Sequence, residues 1–286
     1  MQNLLVYQSL VAMERRLPGE QEWSLQERLE MIRDAGFDGV GLRFDGGMLP
    51  FEQGNFVKTS VDFLQANGMS WEAQSYARSV EDFKSMLDRF GALGADHINL
   101  QPDVRPASLD ECVRLLEGWQ RLADDAGIAL HVETHRNRMT NDLLFMLEIL
   151  DRLPELKITG DLSHYVVGRE ITLPVTDENE ARMRRIIDRC WGFHGRVSSA
   201  EQIQIPLFLP HNAAWLDQFT SWWEYGFRSF RARAPQYATL TFLCELGPRP
   251  YAITDASDIE LSDRWEEAQK LMRLVRDIWQ RLEAGS

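Results

Sequence analysis

"ALHVETHRNR", residues 129–138, sets His131, Glu133 and His135 at alternate positions after an apolar-leaning start. A period of two is a strand signature and sends the three side chains to one face. Ahead of it, "SLDECVRLLEGWQRLADDAG" (residues 108–127) carries apolar residues at helical spacing and ends on the helix-stopping Gly127. The stretch therefore reads as a strand entered from a helix. It also raises a question, because a strand can crowd ionisable groups at one end for solvation or for chemistry.

The same unit recurs in both directions. The strands read as "NLLVYQSL", "GVGLRF", "SWEAQSY", "HINLQP", "ALHVET", "KITGDL", "CWGFHGRV" and "TLTFLCEL". Helical patterns follow them at about 24–35, 56–66, 79–90, 108–126, 141–151, 177–189, 212–233 and 262–281. Ser24 and Glu27 supply a capping box for the first helix. Eight strands in strict alternation with eight helices predict an α/β fold, a (β/α)8 TIM barrel closed by right-handed crossovers. No linker, low-complexity tract or charge block divides residues 1–286, so a single domain is expected. Two stretches after strands read as long loops, "SHYVVGREITLPVTDENE" after strand six and "SSAEQIQIPLFLPHN" after strand seven. Such loops lie at the C-terminal face of a barrel, and the first, with Gly168, Arg169 and Glu170, is expected to close over a ligand.

Composition narrows the partners. With 44 acidic against 31 basic residues the net charge is -13, which opposes the basic footprint that nucleic acid demands and opposes an anionic membrane surface. The start "MQNLLVYQSLVAMERR" lacks a signal-peptide pattern, and no apolar run nears the ~20 residues of a membrane span. Cys112, Cys190 and Cys244 form neither a disulfide framework nor a zinc pattern and are expected to be buried, inert thiols of a reducing cytoplasm. Trp222 and Trp223 in "SWWEYGF" have the spacing of a helix face and suit packing, a contact in a homo-oligomer, or stacking on a sugar.

Four successive strands each end on a metal-capable side chain: Glu133, Asp161, His194 and Glu245. Each lies at the end of an apolar-leaning run, where an unpaired charge is costly. Singly, an acidic residue at a strand end is most often a loop-start carboxylate or helix cap. In register at one end of a barrel, three carboxylates and an imidazole suit one divalent ion of intermediate hardness, Mn²⁺, Co²⁺, Mg²⁺ or Zn²⁺.

The motifs "VETHRNR", "GDLSH", "FHGRVSSAEQIQIP" and "CELGPRPY" resemble the xylose-isomerase-like sugar isomerase and epimerase superfamily, and the resemblance covers essentially the whole chain. It implies a single metal held by Glu133, Asp161, His194 and Glu245, with His164 and Arg196 binding substrate oxygens. It further implies that Glu133 and Glu245 exchange a proton next to the carbonyl of a sugar or hydroxy-ketone. The small-molecule partner is then a sugar or polyol-like compound. The chain departs from endonuclease IV, a remote member with a histidine-rich three-metal cluster, since it has six histidines and an acidic balance. It also lacks an evident equivalent of the lysine of inosose dehydratases and xylose isomerases, because Lys58, Lys84, Lys157 and Lys270 fall on helices or strand beginnings.

Around this set, His135 shares a face with Glu133 and reads as a rim residue or a substrate contact, and Gln101 lies where strand four could meet substrate. His131, two positions deeper, reads as a hydrogen-bonded core histidine or an orienter of Glu133, and His97 as structural. Three functions remain open from the residues: an isomerase or epimerase, a lyase that starts from the same proton abstraction, and a non-catalytic sugar-binding subunit. The two glutamates argue against the last, because a binder needs ligands but no acid–base pair.

Overall fold

The computed structural model describes residues 1–14, 21–43 and 50–285. Eight parallel strands close into a barrel in chain order, each hydrogen-bonded to the next. They are β1 (Asn3–Ser9), β2 (Gly39–Arg43), β3 (Ser70–Ser75), β4 (His97–Leu100), β5 (Ala129–Glu133), β6 (Ile158–Gly160), β7 (Cys190–Gly195) and β8 (Thr239–Cys244). The seam is β1 against β8, in register from Asn3 opposite Thr239 to Gln8 opposite Cys244. Around it lie α1 (Leu25–Asp34), α2 (Pro50–Ala66), α3 (Val80–Leu93), α4 (Leu109–Ala126), α5 (Leu143–Arg152), α6 (Ser163–Gly168), α7 (Asp177–Ile187), α8 (Ala213–Arg233) and α9 (Arg264–Ala284). Phe44, expected to end the second strand, falls outside the described residues. No helix among the described residues is long and apolar enough to cross a membrane.

Local chemistry accounts for where these elements begin and end. The capping box on α1 forms as its residues suggest: Glu27 N donates to Ser24 Oγ at 3.2 Å, and Ser24 N donates to a Glu27 carboxylate oxygen at 2.7 Å. Helix α4 starts at the Ser108 cap and stops at Gly127, whose φ of +67° few other residues adopt at low cost. Strand residues pointing outward are apolar and meet the helices. Phe193 of β7 packs edge-on against Phe227 of α8, with ring centroids 5.9 Å apart. Trp222 and Trp223 are both fully buried, and Trp223 sets its ring edge against Phe242 of β8 at 5.2 Å. Trp223 thus joins α8 to the barrel and Trp222 joins it to α7, its Nε1 donating to Glu180 at 2.7 Å, and their burial leaves neither for a sugar or a second subunit. All three cysteines are free and buried, and burial pushes the Cys112 thiol up to about 11.

One expectation needs correction. Nine α-helices, not eight, occur among the described residues, because "SHYVVG" forms α6 where a loop was expected. Asp161 starts that turn by accepting hydrogen bonds from Ser163 N (3.1 Å) and Ser163 Oγ (2.5 Å). Tyr165 then anchors it, its hydroxyl donating to Thr140 O at 3.0 Å. One and a half turns are too few for a helical period to show in a sequence. Beyond it Ile171 is buried, while Gly168, Arg169 and Glu170 are exposed.

The barrel interior is filled largely by polar side chains rather than by the branched apolar ones common in such barrels. Gln8, Glu72, Gln74, His97, Asn99, His131, Glu133 and His194 are all buried. This column of hydrogen-bonding groups supports the site described next.

Candidate functional site

Glu133 is the last residue of β5, Asp161 follows β6, His194 is the penultimate residue of β7, and Glu245 follows β8. Strand closure brings them together at the C-terminal end, where one ligand atom from each lies within 4.8 Å of the others. His194 Nδ1 sits 3.0 Å from Glu245 Oε2 and 3.5 Å from Glu133 Oε1. Glu133 Oε1 and both His194 nitrogens are buried without a hydrogen-bond partner. Glu245 Oε2 approaches Arg196 Nη2 at 3.0 Å, again without hydrogen-bond geometry. Buried polar atoms left in this state need an explanation, and a cation at their common centre supplies it. These residues fit one divalent ion. A second grouping, Glu133, His135 and His164, shares the first glutamate and is richer in imidazole.

Beneath the cluster, each ligand is held by a partner. Asn99 Nδ2 and Gln101 Nε2 both donate to Glu133 Oε2, at 2.5 and 2.9 Å, which turns Oε1 toward the cluster. Glu72 of β3 crosses the barrel interior, its two oxygens 3.3 Å from His194 Nε2 and 3.2 Å from His97 Nε2. A carboxylate facing Nε2 favours a proton there, so a bound metal would take the place of the proton on Nδ1. Burial alone would raise the Glu72 carboxyl, but His194 and His97 hold it far below the usual range. The His97 ring in turn stacks on His131, centroids 4.5 Å apart, and burial keeps His131 neutral by pushing its pKa well down.

Asp161 is fully buried, with His164 Nε2 at 3.3 Å and Arg196 Nε at 3.2 Å. Burial opposes its ionisation, but the His164 ring and the Arg196 guanidinium beside it more than offset this and hold the carboxyl far below its usual range. Burial likewise opposes ionisation of Glu245, but Arg196 and His194 lower it to about 2. His194 is the opposite case: burial lowers it, and the charges of Glu133 and Glu245 more than reverse that, raising it well above 6.5. Arg196 is fixed by Gln204, whose Oε1 accepts from Arg196 Nη1 at 3.0 Å and from Gly247 N at 2.8 Å.

Above the cluster opens a cavity of about 160 Å³, lined among others by Gln74, Tyr76, Gln101, His135, Arg196, Glu245 and Tyr251. Glu245, 18% exposed at its side chain, reaches this cavity, whereas Glu133 is fully buried below it. The His135 ring packs on His164 at 3.9 Å, and burial lowers His135 to about 4, aided by its neighbour. Both rings are thus neutral donors or acceptors near neutral pH.

The structure brings together all eight residues singled out from the sequence. Glu133, Asp161, His194 and Glu245 form the cluster, Arg196 and His164 bracket Asp161, and His135 and Gln101 line the cavity. Glu72, Asn99, Gln204 and Tyr251 were missed. Glu72 and Asn99 had a faint signal, a polar residue two places before the polar Gln74 and Gln101 on their own strands. The segment after β8 also contributes to the cavity wall, through Gly247, Pro248, Pro250 and Tyr251.

A family model described as xylose isomerase-like TIM barrel matches residues 29–195. Solved structures share the architecture at low identity. A xylose isomerase-like TIM barrel protein from Mycobacterium smegmatis, in complex with magnesium, has a TM-score of 0.59 at 12% identity and covers 96% of this chain and 97% of its own. A D-allulose 3-epimerase from Methylomonas sp. has a TM-score of 0.59 at 17% identity, covering 97% and 99%. A probable 3-DHS dehydratase, AsbF, from Bacillus anthracis has a TM-score of 0.57 at 15% identity, covering 96% and 99%. No curated protein matches the sequence. At these identities the likeness is one of fold.

Proposed function

From a chain that belongs to the xylose isomerase-like TIM barrel family, we infer a divalent-metal-dependent isomerase or epimerase of a sugar or related hydroxy-ketone. The observation that carries this reading is the convergence of Glu133, Asp161, His194 and Glu245 on one point, with buried acceptor atoms that no hydrogen bond satisfies. Mn²⁺, Co²⁺, Mg²⁺ or Zn²⁺ held there would act as a Lewis acid, polarising the substrate carbonyl and making its neighbouring C–H acidic. The remaining work falls to side chains. Glu133, aimed by Asn99 and Gln101, takes the proton from the carbon beside the carbonyl, and Glu245 at the cavity floor returns one from the other side. Arg196 and His164 bind substrate oxygens and offset developing negative charge.

A lyase starting from the same abstraction is the alternative reading, with the fold of a probable dehydratase in support. None of the four lysines lines the cavity, so elimination assisted by a lysine has no candidate here. The test is a panel of ketoses in deuterated water with each metal in turn. Deuterium should enter the carbon next to the carbonyl, stop on chelation, and resume when metal is restored. Wash-in indifferent to chelator, or none with a fully loaded protein, would overturn the reading.

Glu72 gives a second test, because it acts on the metal only through His194. Glu72→Leu removes the acceptor facing Nε2 and should weaken metal affinity about 10- to 100-fold, the usual range for such outer partners. Glu72→Gln keeps one acceptor oxygen and should lose less. Affinity measured by competition with a chelator reads this directly, and an unchanged value in a folded Leu variant would remove Glu72 from the role.

A further inference from the structure

The cavity wall also holds a concentration of positive charge that a neutral sugar does not explain. Arg43 and Arg138 both line it, their guanidinium carbons 5.1 and 5.8 Å from the centroid of the Tyr76 ring. Arg138 Nη1 donates to Asp103 at 2.9 Å, but its Nε is buried with no hydrogen-bond partner. Asp103 is itself shared, with Arg78 at 2.8 Å and Arg105 at 3.8 Å. Three guanidinium groups thus divide one carboxylate, beside a cavity, in a chain whose net charge is -13. Arg196 on the same cavity pairs with Asp161 and Glu245.

We propose that the Arg43–Tyr76–Arg138 wall binds the anionic end of the substrate, a carboxylate or a phosphate, while the carbonyl end faces the cluster of Glu133, Asp161, His194 and Glu245. The proposal rests on the ketose reading above and adds the substrate's charge to it. Guanidinium groups stacked on an aromatic ring keep their planar fork of donors, the geometry that pairs two-pronged with an oxyanion. The cavity, about 160 Å³, is well below the ~300–1,000 Å³ of drug-sized sites and admits a single sugar unit. Substrates of this class are sugar acids with an internal keto group, or sugar phosphates.

The test uses three matched probes on the metal-loaded protein by titration calorimetry: D-fructose, its C6 acid D-fructuronate, and D-fructose 6-phosphate. One or both charged forms should bind about 10- to 100-fold more tightly than D-fructose, as charge-assisted hydrogen bonds allow. Which of the two prevails identifies the anion. Arg138→Gln should bring the ratio of charged to neutral affinity toward one, and so should Arg43→Gln at an exposed position. Gluconate, an acid without the ketone, is the fourth probe. Equal binding of the charged and neutral ketoses, or a preference that survives both substitutions, overturns the anion site and leaves the ketose reading intact. Arg138-dependent binding of gluconate with no binding of any ketose keeps the anion site and sinks the ketose reading. Binding of none of the four overturns both.

Discussion

Glu133→Gln is expected to cut turnover roughly 100- to 10,000-fold, the range assigned to a positioned acid or base. The reason lies in its two donors. Asn99 and Gln101 both point at Oε2, so the variant's single oxygen is drawn to them and its NH₂ group replaces Oε1 at the cluster. The side chain then loses its basicity and presents no lone pair to a cation. Metal affinity should fall as well, and the two effects separate when exchange of the substrate proton is measured at saturating metal. Exchange within about tenfold of wild type under those conditions would leave Glu133 a ligand alone and move the proton transfer elsewhere.

Asp161→Ala should be the most destabilising change in the site. It removes the counter-charge 3.2 Å from Arg196 Nε, the partner 3.3 Å from His164, and the acceptor that starts α6 through Ser163. Breaking a buried pair from one side typically costs about 3–5 kcal/mol. The cost also depends on pH, with a definite sign. The folded carboxyl is held below its ordinary 3.8, so it contributes stability above that pH, and the contribution is lost as pH falls through the folded value. In urea unfolding of the metal-free proteins, the gap between wild type and variant should be full at pH 7 and narrow below pH 3.8. A gap under about 1 kcal/mol at neutral pH, or one that does not close in acid, contradicts this account of Asp161.

The barrel was legible because its signals are local. Ser24 and Glu27 announce α1, Gly127 ends α4, and the alternation in "ALHVET" sets the phase of β5. The cluster was legible because each member lies at or next to the C-terminal end of its own strand, so the barrel's closure needs no further information to bring them together. Glu72 was not, since it lies mid-strand in β3 and meets His194 only across the interior, a contact between strands far apart in the chain. The fate of the strand-six stretch was hidden for a similar reason. Its first turn depends on Asp161 and Thr140, partners whose positions come from tertiary structure. The arginines of "THRNR" were visible as charge, while their grouping around Tyr76 and Tyr251 depended on segments after β3 and β8.

The buried polar column has a bearing on how this protein could acquire a new substrate. From His131 through Glu72 and His194 to Glu133, the groups that orient the cluster are also the filling of the barrel, so a change at any of them is felt by folding and chemistry together. Arg43, Tyr76, Arg138 and Tyr251 stand outside that column, on four separate segments around the mouth. Random libraries confined to these four positions should yield many folded, metal-competent variants with altered substrate choice, whereas libraries at the column should yield mostly unfolded chains. Adaptation would then proceed at the rim, with the reaction itself held constant by the same residues that keep the barrel full.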